Sequence, residues 1–142
     1  MLDDEQWIWF VKDLQTNTGK PMLIMTHYPL LSCLGIVDNK PDKAGPFEIS
    51  GGSTHLDIVR IIEQFNQHPD VKLCLSGHVH LRDSVWYNNV HYHVNGAVSG
   101  FWWEPGSDGK GSNRQTPPGY SILNLFDDGT YDSEYIAYED IA

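Results

Sequence analysis

Positive charge is scarce in this chain: nine Lys and Arg side chains stand against nineteen Asp and Glu, a net charge of −10. No Lys/Arg cluster offsets the deficit, so binding to a nucleic-acid backbone through counterion release is not expected, whereas a cation is easier to accommodate. Cysteine is nearly absent. Cys33 and Cys74 sit in unrelated contexts, which excludes both a disulfide framework and a CxxC metal knuckle. No run of about 18 apolar residues occurs, so no membrane span is expected. The opening MLDDEQW lacks the basic and apolar regions of a signal peptide, an absence that counts only if Met1 is a native start, and the compartment stays open. What is present is a chain of 142 residues, 40% of them hydrophobic, enough for one domain over 1–142 with its own core.

The apolar spacing predicts a definite order of elements. Trp7, Phe10, Val11 and Leu14 follow i, i+3, i+4, i+7 behind a cap at Asp3 or Asp4, the stripe of an amphipathic helix that NTGK stops. PMLIMTH then reads as a short strand buried on both faces, with His27 at its carboxyl end. Residues 28–53 show no sustained period and form a long irregular connection of the kind that often carries function. Ser53 or Thr54 is the expected cap of a second helix, with Asp57 in its first turn and Ile58, Ile61, Ile62 and Phe65 on its apolar stripe. VKLCLSG is a second buried strand. Strand, helix, strand predicts a βαβ crossover with parallel pairing.

Beyond His80 the pattern becomes hairpins. DSVWY and VHYHV flank Asn88-Asn89, a pair that tolerates positive φ in a tight turn, and GYSILNLF and TYDSEYIAY flank DDG. Between the hairpins, the aromatic FWW precedes a Gly/Ser/Pro-rich stretch over 104–118, expected as a surface loop with a lid as the alternative.

Ligand-binding groups in open α/β sheets gather beyond the carboxyl ends of parallel strands, which is where His27 and the Gly-His-Val-His of residues 77–80 fall. Neighbouring strands lie about 4.8 Å apart, so strand-end side chains can share a small site. In an extended segment His78 and His80 would project to one side. Neutral imidazole is a common ligand for zinc, iron and manganese, so His27, His78 and His80 are candidate metal ligands. His55 and His68, at the two ends of the second helix, are expected in surface or capping roles. His91, His93 and Asn95 alternate onto one face of a strand, which a solvated sheet face explains. Arg82 and Asp83 follow the His pair closely enough to touch a substrate, although an exposed ion pair is the simpler expectation.

MTHYP followed by LSGHVH resembles the last two metal-binding motifs of the calcineurin-like metallophosphoesterases, a superfamily that includes purple acid phosphatases and cyclic-nucleotide phosphodiesterases. The helix DEQWIWFVKDL, the crossover helix and HVNGAVSG also look like this family's C-terminal half, so the resemblance covers most of the chain. It implies an α/β (α+β-like) fold, part of a β-sandwich flanked by helices, with the βαβ unit followed by hairpins. It also implies that His27 and His78 bind one metal of a dinuclear centre and His80 the other. The ions would be divalent or trivalent Mn, Fe or Zn, and the reaction hydrolysis of a phosphomonoester or phosphodiester by metal-bound hydroxide.

The family's earlier motifs, DxH, GDxxD and GNH followed by Asp or Glu, occur nowhere in these residues. Two cations a few ångströms apart repel strongly, and neutral imidazoles do not offset that charge as bridging carboxylates do. The chain is therefore expected to supply at most half of a site and to be inactive alone, as the C-terminal portion of a longer catalytic domain. An incomplete sheet would leave an unpaired edge that favours dimerisation or strand exchange. A different class of reading is a catalytically inactive truncated domain acting as a metal-binding or interaction module; a third is a single zinc held by three histidines and water.

Overall fold

The computed structural model describes residues 1–34, 49, 51–100 and 116–138. Among them are helices α1 (Asp4–Thr16) and α2 (Ile58–Gln67) and strands β1 (Met22–Met25), β2 (Val71–Ser76), β3 (Asp83–Tyr87), β4 (Val90–Val94), β5 (Gly119–Leu125) and β6 (Tyr131–Ala137). The chain is thus mixed α/β. The FWW residues 101–103 and most of the 104–118 loop lie outside the described residues, as do 35–48 and 50 of the long connection.

Helix α1 starts where the sequence places it. Asp3 accepts from the Gln6 amide at 2.8 Å while the Asp3 amide donates to the Gln6 side chain at 3.1 Å, so two otherwise orphaned donors are satisfied reciprocally. Phe10 and Leu14 are the buried positions of its stripe. Helix α2 begins later than expected, at Ile58 rather than just after Ser53 or Thr54. The reason is that Thr54 is committed elsewhere: its hydroxyl donates to the Pro29 carbonyl at 3.0 Å and the His55 amide donates to the same oxygen at 2.8 Å. Asp57 is the residue preceding the helix, with its carboxylate turned away to the Leu2 amide and Arg60.

The βαβ expectation holds: β1 and β2 pair in parallel, with Leu23 opposite Leu73 and Met25 opposite Leu75. Strand β4 pairs parallel to β2 on its other side, and β3 pairs antiparallel to β4, giving the order β1-β2-β4-β3. Asn88 and Asn89 take φ of 48° and 62°, the left-handed pair that a two-residue hairpin turn requires. The second hairpin, β5–β6, forms its own two-stranded sheet.

One face of the four-stranded sheet carries the helices. Phe10 and Leu14 of α1, Ile61 and Phe65 of α2, and Val71, Cys74, Val90 and Tyr92 of the sheet form a single apolar core with Leu30. Burial there pushes the Cys74 thiol up to about 12, so it is an inert packing group rather than a nucleophile. The opposite face meets the β5–β6 hairpin. The Tyr131 ring lies 5.5 Å from that of His91, and the Ser121 hydroxyl donates to the Asn95 side chain. His91, His93 and Asn95 are therefore half-buried between two sheets, not on a solvated face as their alternation suggests. A distant hairpin covers them, which no local pattern signals.

Strand β1 also departs from expectation. It is not buried on both faces, because no described strand lies beyond it, and Met25 is 75% exposed. The Met22 and Thr26 amides donate to β2 or its lead-in, so those of Leu23 and Met25 face outward from the sheet.

Candidate metal-binding site

Ladder hydrogen bonds continue past the strand ends and set the site. The Thr26 amide donates to the Leu75 carbonyl at 2.9 Å, and the Gly77 amide to that of His27 at 3.1 Å, which places His27 beside the residue that opens the Gly-His-Val-His turn. Two of the three candidate histidines then meet: His27 Nε2 and His78 Nδ1 are 3.0 Å apart, with ring centroids 4.9 Å apart.

The turn itself is not extended. His78 and His80 have φ of 69° and 56°, in the left-handed region that residues with a Cβ rarely adopt, and the Val79 amide closes back on the Gly77 carbonyl at 2.8 Å. The expectation that both imidazoles project to one side of an extended segment is corrected accordingly. His78 turns to His27 and to the Gly52 carbonyl, 2.8 Å from its Nε2. His80 places Nδ1 3.1 Å from the Gly100 carbonyl and 3.4 Å from the Ser99 hydroxyl.

These carbonyl contacts assign protons. A carbonyl only accepts, so neutral His78 carries its hydrogen on Nε2 and keeps the Nδ1 lone pair toward His27, while neutral His80 carries it on Nδ1 and keeps the lone pair on Nε2. Such outer contacts are how proteins orient metal-binding imidazoles. Nitrogens bound to one ion at about 2.1 Å each would lie about 3.0 Å apart at a right angle and about 3.4 Å apart at the tetrahedral angle zinc prefers. His27 Nε2 and His78 Nδ1 are 3.0 Å apart, so one ion seated off the line that joins them could be shared by both.

The fit extends to one ion and stops there. Among the described residues, no group of three or more His, Cys, Asp or Glu side chains lies close enough to hold a metal. The residues described provide imidazoles and no bridging carboxylate, so they do not by themselves fit a two-ion centre.

Arg82 and Asp83 do not form the ion pair expected of them. The Arg82 guanidinium stacks 4.3 Å above the Tyr135 ring, and its amide donates to the Thr116 hydroxyl at 3.0 Å. Asp83 accepts from the Ser32 hydroxyl at 2.8 Å and the Cys33 amide at 2.6 Å, tying the start of the long connection to β3. His68 ends α2, its amide bonded to the Phe65 carbonyl at 3.0 Å, as expected of it. His55 instead stands ahead of α2, accepts from the Asp57 amide at 3.2 Å and is mostly buried, not the surface or capping residue expected, because the helix starts only at Ile58. Burial is the main cause holding the imidazoles of His55, His91 and His93 below their ordinary value.

Several residues that build the site gave no sequence signal. Gly52, Gly100 and Ser99 act through backbone carbonyls or a single hydroxyl. Tyr28, between the histidine and the proline of THYP, lies with its ring centroid 3.9 Å from that of His78. No helix among the described residues is long and apolar enough to cross a membrane. No protein-family model and no curated protein matches the chain.

Proposed function

We propose that the chain carries one wall of a metal-dependent phosphoesterase site, in which His27 and His78 hold one cation, His80 faces a second, and the substrate is a phosphate ester. The observation that carries this reading is the 3.0 Å approach of His27 Nε2 to His78 Nδ1 at the carboxyl ends of adjacent parallel strands. Cations held there would supply Lewis-acid polarisation of water and of phosphoryl oxygens. The chain's own part is positional: Gly52 and Gly100 fix which imidazole nitrogen carries a lone pair, and the β1–β2 ladder sets the spacing of the ligands.

The carboxylates absent beside the imidazoles among the described residues would come from residues outside this sequence, paired on the side of β1 where no described strand lies. Two features support that placement. The Leu23 and Met25 amides face outward, and clefts of about 300 and 310 Å³ flank the strand, the first lined by Leu2, Trp9, Phe10 and Leu23, the second by Leu75, His93 and Leu123, with Met25 in both. A parallel strand added about 4.8 Å away would bring its own carboxyl end alongside His27.

Metal titration and phosphoester turnover, measured on this polypeptide and on one extended upstream, test the reading. The expected result is weak binding of one Mn²⁺ or Zn²⁺ ion without turnover for the short chain, and turnover in the extended one that His27→Ala and His78→Ala each abolish. Metal-dependent turnover that survives both substitutions would overturn it. Among the described residues no carboxylate joins the imidazoles in a group able to hold a metal, which favours a second reading, an inactive metal-binding module. An extended chain that binds metal but hydrolyses neither a phosphomonoester nor a phosphodiester would decide for that alternative.

A further inference from the structure

We infer that Tyr28 is a positioning residue for His78: its ring holds the strained imidazole in the orientation that presents Nδ1 to His27. The inference rests on the metal-site reading for its purpose, but on the ring geometry for its substance. His78 sits at φ 69°, a backbone conformation unfavourable for a residue with a Cβ, so something must keep its side chain from relaxing away. Two groups close on it besides His27. The Gly52 carbonyl takes the Nε2 hydrogen, and the Tyr28 ring covers the imidazole at 3.9 Å between centroids with planes tilted by 41°. His27 stands edge-on to both rings, 5.3 Å from Tyr28 and 4.9 Å from His78, so the three rings form one packed cluster.

Tyr28 can act as a fixed wall because its own backbone is tied on both sides. The Thr26 hydroxyl donates to the Tyr28 carbonyl at 2.7 Å. The next residues, Pro29 and Leu30, are fully buried, and the Pro29 carbonyl accepts from both Thr54 and His55. A proline fixes its own φ and restricts the residue before it, so the THYP segment has little freedom to move the ring. The Tyr28 side chain is partly exposed, at 37% for the residue, and its hydroxyl has no hydrogen bond among the described residues. The ring, not the hydroxyl, is therefore the working part, and phenylalanine should replace it.

Two-bond ¹H–¹⁵N correlation spectra of the metal-free protein, labelled at histidine nitrogens, test this directly, with Tyr28→Phe, Tyr28→Ala and Tyr28→Leu compared to the parent. In the parent and Tyr28→Phe, His78 should show one tautomer with hydrogen on Nε2. In Tyr28→Ala and Tyr28→Leu its two nitrogens should move toward averaged shifts, while His80, held by Gly100 and Ser99, keeps its pattern and so reports that the fold is intact. Zn²⁺ affinity should fall about tenfold in the Ala and Leu variants and stay within about twofold in Tyr28→Phe, the scale of other outer contacts to metal ligands. A single unchanged His78 tautomer in Tyr28→Ala would overturn the inference, as would a Tyr28→Phe variant that behaves like Tyr28→Ala. If the parent binds no Zn²⁺ and the His78 tautomer still depends on the ring, the metal reading fails and the positioning role stands.

Discussion

Replacing Asp57 by alanine should destabilise the chain by about 2–3 kcal/mol at neutral pH, because this one carboxylate joins the starts of both helices. Asp57 is 7% exposed, accepts from the Leu2 amide at 2.5 Å and receives Arg60 Nε at 2.7 Å. A hydrogen bond to a charged acceptor contributes about 1.5–3 kcal/mol, and the Leu2 bond is of that kind. Arg60 adds less, under about 1 kcal/mol, since its side chain is 37% exposed and retains other contacts. Those contacts are the Trp7 ring, 4.1 Å from the guanidinium, and the Leu2 carbonyl at 3.2 Å. With an unfolding entropy of about 2.1 cal/mol/K per residue, the loss corresponds to a fall in Tm of roughly 7–10 °C for a chain of 142 residues. The effect carries a pH signature. Burial alone would raise the Asp57 carboxyl, yet Arg60 and the Leu2 amide hold it below its ordinary 3.8. Its contribution is therefore complete above that value and is lost as pH falls through the lower folded value. Urea unfolding of parent and Asp57→Ala at pH 7 and near pH 2.5 should give a gap that narrows in acid. A gap below about 0.5 kcal/mol at pH 7, or one that does not narrow, would refute the role given to Asp57.

The other predictions are shorter. His55, His91 and His93 are held below 6.5, so each favours the folded state fully above that pH, and stability should decline as pH drops from 6.5 through their folded values; His93→Leu should flatten that limb in urea titrations read by fluorescence. Gly96→Ala would set a Cβ 2.6 Å from the Tyr135 hydroxyl oxygen and 2.7 Å from Thr116 Cγ2, displacing the ring on which Arg82 stacks; a loss of about 1–3 kcal/mol in urea unfolding is expected. Asn89→Val forces a β-branched residue to the φ of 62° and should lose about 1–2 kcal/mol in the same assay, whereas Asn89→Gly should be neutral or stabilising.

What the sequence revealed of the fold follows the range of the forces involved. The Asp3 cap, the α1 stripe, the Asn88-Asn89 turn and the parallel β1–β2 crossover are set by residues within a few positions of one another or by rules of chain connection, and all four are present. The failures are non-local. The burial of β1 depends on what pairs beyond it, the late start of α2 on a proline 25 residues before Thr54, and the cover over His91 and His93 on a hairpin whose Tyr131 lies 40 residues after His91. The meeting of His27 and His78 was legible because strand ends are a topological position; the groups that lock them were not, because a backbone carbonyl leaves no mark in the sequence.

The left-handed backbone at His78 and His80 then acquires a physical reason. In an extended segment two histidines one residue apart would look the same way and compete for the same space. The turn instead sends His78 toward His27 and Gly52 and His80 toward Gly100 and Ser99, each with a different nitrogen left holding the lone pair. Strain of this kind, on the order of 1–3 kcal/mol per residue, persists only where surrounding contacts over-determine the conformation, and the two carbonyl locks and the Tyr28 ring are such contacts. Gly77, which opens the turn with no Cβ and no neighbouring atom within 4 Å of where one would be built, is tolerant by comparison: Gly77→Ala should fold, because the strain sits on the histidines and not on the glycine before them. Were Gly77→Ala to lose as much stability in urea as Gly96→Ala, the constraint would lie in the hinge, and the carbonyl and ring contacts would be consequences of the turn rather than its cause.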